Sequence, residues 1–97
     1  MDRPQYYRFH QGQKQLPFSD AEYETRLGQL RQTMRDAAID ACVLTSMHNV
    51  SYYSGFLYCA FGRPYALVVT ATDSVTFSAG IDAAQPWRRC YGDNITY

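Results

Sequence analysis

Ser19, followed three residues later by Glu22, opens the pattern that most constrains this chain. A hydroxyl at a helix N-cap and an acid at the third helical position satisfy N–H groups that a helix start leaves without partners. Phe18 stands just before, placed to staple against Tyr23. Tyr23, Leu27, Leu30 and Met34 then recur at helical spacing, and Ala37, Ala38 and Ile39 extend the run toward its end. The other face, with Glu22, Glu24, Arg26, Arg31, Arg35 and Asp36, reads as a solvated surface. A helix of this kind has to bury its apolar stripe against a second layer.

The rest of the chain supplies that layer. ACVLT at 41–45 is a short apolar run directly after the helix, which reads as a buried strand covered by it. Residues 47–54 read as a short helix or turn. ALVVT at 66–70 and SVTFS at 74–78 are β-branched runs separated by Ala-Thr-Asp, the spacing of an antiparallel hairpin. QPWRRCYGDN at 85–94 reads as a surface loop before another strand that begins in DNITY. The fold class is therefore α/β, a mixed β-sheet with covering helices. Residues 1–18, with Pro4, Pro17 and the polar HQGQKQ, form an irregular arm, and 19–97 form the domain. Nothing after Tyr97 closes that last strand, so the domain is expected to be truncated on its C-terminal side. Ninety-seven residues with 46% apolar content bound the answer at one small domain or part of one.

Charge narrows the function classes. Nine basic and nine acidic side chains cancel, and Arg88-Arg89 is the only adjacent basic pair, so no stripe tracks a phosphate backbone or an anionic membrane. Nucleic acid and membrane are not expected as partners. Cys42, Cys59 and Cys90 are an odd, widely spaced set that fits a reducing cytosol. The N-terminus lacks the apolar core of a secretory signal, and no run reaches membrane-spanning length, so a cytoplasmic location is expected.

The chemistry concentrates in YYSGFLYCAFGRPY at 52–65. Arg63 offers a planar fork of donors suited to a carboxylate, Gly62 lets backbone approach closely, and Pro64 fixes the direction of the chain after it. This is the pattern of a ligand-contacting loop, although an ion pair with one of the chain's own carboxylates would use the same fork. Tyr52, Tyr53, Phe56, Tyr58 and Phe61 are either a pocket wall or plain core. His10 and His48 are too isolated for a metal site, and neither glycine-rich phosphate loop is present. Ser46 near His48 lacks an orienting acid, which leaves His48 a capping or core-edge residue. Arg88 and Arg89 beside Pro86-Trp87 read as an interface loop or a plain surface loop.

TSMHNVSYYSGFLYCAFGRPYALVVT at 45–70 and QPWRRCYGDNITY at 85–97 resemble the creatinase family, the creatine amidinohydrolases. The S-x-x-E-Y helix start and Ile39-Asp40-Ala41 fit as well, whereas the arm is the least characteristic part. The resemblance implies an N-terminal α/β domain preceding a pita-bread catalytic domain, here absent, in a homodimer. It implies hydrolysis of creatine to sarcosine and urea without metal or other cofactor. Catalytic residues belong to the larger domain, so none is expected in these residues. By matched motif, Phe61 packs against creatine and Arg63 pairs with its carboxylate, while the domain covers the partner's active site. Two other readings are a related hydrolase or metallopeptidase acting on another small carboxylate, and an inert dimerisation or binding module.

Overall fold

A computed structural model describes residues 16–56, 64–79 and 89–97. α1 (Asp20–Asp36) starts where the capping pattern places it. Ser19 Oγ accepts the Glu22 N–H at 3.2 Å, with acids in the first turn and Arg35 in the last to complement the helix dipole. The Phe18 and Tyr23 rings meet edge to face, centroids 6.3 Å apart, so the staple forms. The helix stops short of the apolar run that follows it. Ala38 turns left-handed at φ +56°, and the N–H groups of Ala38 and Ile39 close onto the carbonyls of Arg35 and Met34 at 3.1 and 2.8 Å. This is a Schellman ending with alanine where glycine is usual.

β1 (Ala41–Leu44), α2 (Met47–Ser54), β2 (Ala66–Thr70), β3 (Ser74–Ser78) and β4 (Asp93–Thr96) follow in chain order. They build one mixed sheet ordered β1-β2-β3-β4, the first two pairings antiparallel and the third parallel. The α/β class and the hairpin are as expected. At the hairpin tip, Thr70 Oγ1 accepts the N–H groups of Thr72 and Asp73 at 3.3 and 2.9 Å.

Two expectations need correction. β1 is an edge strand rather than a buried one: its residues alternate exposed and half-buried, and Val43 is 63% exposed. A four-residue apolar run does not distinguish a two-sided strand from a half-covered edge. The stretch read as a surface loop turns inward at its end, since Cys90 is fully buried in the core and Asn94 fully buried in β4.

Pairing register divides the sheet into two faces. Cys42, Leu44, Leu67 and Val69 share a face with Ser74, Thr76, Ser78, Asn94 and Thr96, because side chains alternate and paired residues point the same way. The apolar half of this face packs with Leu27, Met34, Val50, Phe56 and Cys90 as the core. In the polar half, the Asn94 side-chain amide donates to Thr76 O, Thr76 Oγ1 and Ser78 Oγ at 3.3, 2.8 and 3.1 Å. Those bonds offset the cost of burying the amide nitrogen, while Asn94 Oδ1 and Ser74 Oγ are buried without a hydrogen-bond partner among the described residues. The second face carries Val43, Ala66, Val68, Val75, Phe77 and Ile95.

Candidate functional site

Phe61 and Arg63 lie outside the described residues, as do Tyr58, Cys59, Trp87 and Arg88. What the structure describes is how the chain leaves α2 before this segment and how it enters β2 after it. Gly55 caps α2 in the left-handed region at φ +74°, donating to Ser51 O at 2.8 Å. A Cβ there would stand 2.6 Å from Tyr23 Oη and 2.9 Å from Leu16 Cδ2, so only glycine fits. The buried Ser54 hydroxyl donates to Val50 O and accepts the Phe56 N–H at 3.1 Å, and Ser54 O accepts the Tyr91 N–H at 2.6 Å. Phe56 is core, and its ring meets Tyr65 edge-on at 6.2 Å. After the segment, the Pro64 carbonyl accepts the Tyr97 hydroxyl at 2.8 Å. The described residues on either side of 57–63 are thus in contact through Phe56 and Tyr65.

Neighbouring residues resolve several sequence readings. Ser46 is the N-cap of α2, accepting the Asn49 N–H at 3.2 Å, and this capping role stands against its reading as a nucleophile. His48 is exposed in the first turn of α2, so it neither caps that helix nor sits at the core edge. Of the aromatic series, Phe56 is buried, Tyr53 packs partly against the core, and Tyr52 is largely exposed.

The face of α1 read as solvated is not uniformly so. Only 12% of the Arg26 side chain is exposed. Its guanidinium lies 4.5 Å from the Phe18 ring centroid and 4.3 Å from that of Tyr52, while Nε donates to Glu22 Oε1 at 3.0 Å and Nη1 to Tyr52 O at 2.8 Å. Stacking and directed bonds together fasten α1 to α2. Beside it runs a cleft of about 440 Å³ bordered by Phe18, Tyr23, Met47 and His48. Arg31 clamps the hairpin, donating to Thr70 O and Asp73 O at 2.8 and 3.1 Å. These contacts span 26, 39 and 42 residues of sequence and leave no local signal.

Tyr91 ties the approach to β4 onto α1. Its ring stacks on Tyr23 at 5.4 Å and its hydroxyl donates to Glu24 Oε1. Burial first, then the Glu24 bond and charge and the Asp20 charge, push the phenol up to about 12, with Arg31 opposing. Burial likewise raises Tyr23, against the lowering effect of Arg26. Among the described residues, no three His, Cys, Asp or Glu side chains are grouped to hold a metal, and no helix is long and apolar enough to cross a membrane.

A four-stranded mixed sheet under two helices defines an α/β module. The Creatinase/Prolidase N-terminal domain family matches residues 26–85, and the chain belongs to that family. It is 53% identical over 87 residues to a creatinase from Bacillus sp. (strain B-0618), covering 89% of this chain and 21% of that protein. An uncharacterized hydrolase/peptidase of Sinorhizobium fredii is 37% identical over 54 residues, covering 56% of this chain and 14% of that one. The chain thus spans about a fifth or less of the length of these relatives. Among solved structures, an Xaa-Pro aminopeptidase from Streptococcus pyogenes superposes with a TM-score of 0.69 at 22% identity, over 81% of this chain and 59% of that one. The N-terminal domain of an X-Pro dipeptidase from the same organism gives 0.69 at 18% identity, over 75% and 56%. At those identities the likeness is one of fold.

Proposed function

We propose that this chain is the N-terminal part of a creatinase, a hydrolase that converts creatine and water to sarcosine and urea. The observation that carries the reading is the 53% identity to the Bacillus creatinase over 89% of the chain. In this reading the domain is the lid of a homodimer, reaching over the partner's active site, and the chemistry resides in a larger domain. Creatine carries a guanidinium cation at one end and a carboxylate at the other. Arg63 grips the carboxylate with two parallel N–H bonds, and Phe61 packs against the body of the substrate. Holding the anionic end fixes which end meets the catalytic groups, and that orientation lowers the entropic barrier to reaction.

Steady-state kinetics on the full-length protein test this. Arg63→Ala raises KM for creatine strongly, and Arg63→Lys recovers little because the planar fork is gone. Unchanged kinetics in both variants would remove the carboxylate role.

A further inference from the structure

A second cleft, of about 360 Å³, opens between α1, the tip of the β2–β3 hairpin and the start of β4. It is bordered by Glu24 and Arg31 of α1, Asp73 and Ser74 of the hairpin, and Tyr91 and Asp93 at the entry to β4. Three carboxylates thus share the cleft with one guanidinium, and that guanidinium is occupied elsewhere. Arg31 gives Nε to Thr70 O and Nη2 to Asp73 O, both main-chain carbonyls. Among the described residues, neither Glu24 nor Asp73 forms an ion pair. Glu24 accepts the Tyr91 hydroxyl, and the Asp73 carboxylate receives a 3.4 Å contact from Thr72 Oγ1. After burial and the Glu24 bond, the charges of Glu24 and Asp20 are what raise the Tyr91 phenol, so the field at this end of the sheet is negative.

The floor of the cleft carries an independent sign of a ligand. Pairing with Val69 puts the Ser74 side chain on the helix side of the sheet, the side on which the cleft opens. Ser74 is 7% exposed, and its Oγ is buried with no hydrogen-bond partner among the described residues, a costly state for a hydroxyl. Gly92 beside it, at φ +91°, keeps the space clear, since a Cβ there would overlap Ser74 O and stand 3.1 Å from Ser74 Oγ. Among the described residues no three His, Cys, Asp or Glu are grouped tightly enough to hold a metal ion. Carboxylates spread around a cleft suit a larger cation instead, one with several N–H donors to reach them. We propose that this cleft binds a small organic cation, a guanidinium or alkylammonium group, held by the Glu24 and Asp73 carboxylates with Ser74 Oγ accepting at the floor. The group is carried by a free small molecule or by an arginine or lysine side chain, which present the same donors. This site is independent of the carboxylate role of Arg63.

Calorimetric titration of the full-length protein at low ionic strength tests the site. Methylguanidinium serves as the free cation, N-acetylarginine amide as the side chain, and tetramethylammonium as a cation without donors. Methylguanidinium binds and tetramethylammonium does not. Binding of N-acetylarginine amide as well shows that the cleft admits a side chain, and its exclusion assigns the site to a free molecule. Glu24→Gln combined with Asp73→Asn, both at exposed positions, weakens methylguanidinium binding about tenfold or more, and Ser74→Ala weakens it about fivefold. Cation held at the reacting groups of the full-length protein is common to every variant and cancels in the comparison. Thermal unfolding without cation stays at the wild-type midpoint in Glu24→Gln/Asp73→Asn, and in Ser74→Ala it is no lower, since that change removes an unpartnered oxygen. No binding of methylguanidinium, wild-type binding in either variant, or equal binding of tetramethylammonium overturns the proposal.

Discussion

Tyr91 shows how one side chain can report the packing of the domain. An unfolded tyrosine ionises near 10, whereas folded Tyr91 holds its proton to about 12 because its ring is half-buried in a stack on Tyr23 and its hydroxyl faces the Glu24 carboxylate. Between those values the unfolded chain releases a proton that the folded one keeps. Stability from this residue is complete below about pH 10 and is lost as pH rises through about 12. Denaturant unfolding from about pH 9 to about pH 12 should therefore show a falling free energy whose slope shrinks in Tyr91→Phe. An unaltered slope would place Tyr91 outside the linkage. At this scale the sequence was least legible. Arg63 is singled out by its neighbours Gly62 and Pro64 but lies outside the described residues, whereas Arg26, Arg31, Tyr91 and Tyr97 make their contacts with residues 26 to 67 positions away.

Elements were easier to read, because their signals are local. The cap at Ser19, the staple of Phe18 on Tyr23 and the Ala-Thr-Asp separation of the hairpin each dictate structure within a few residues. Errors fall where tertiary context decides, as in the exposed side of β1 and the inward turn at Cys90. The end of α1 is a third case. Apolar residues continue past Asp36, but Ala38 adopts φ +56° and breaks the helix. An L-residue with a Cβ pays for that conformation, so Ala38→Gly should stabilise the protein by about 1 kcal/mol. Thermal or urea unfolding checks it, and a destabilised variant would mean that the Ala38 methyl contributes more by packing than it costs in strain.

At the scale of the whole molecule, the sheet presents apolar side chains on both faces, with a hydrogen-bonded polar quadrant around Asn94 on the helix side. Membership in the Creatinase/Prolidase N-terminal domain family follows from the match over residues 26–85, which contains the block at 45–70 and ends where that at 85–97 begins. Fold alone does not separate a creatinase from the aminopeptidase and dipeptidase that share it, because the same scaffold hosts different chemistry. The separation lies in what the full-length protein hydrolyses. The decisive measurement is urea release from creatine by that protein, with and without a chelator. The account predicts stoichiometric urea and sarcosine, undiminished by the chelator; a folded full-length protein that releases no urea from creatine would contradict it.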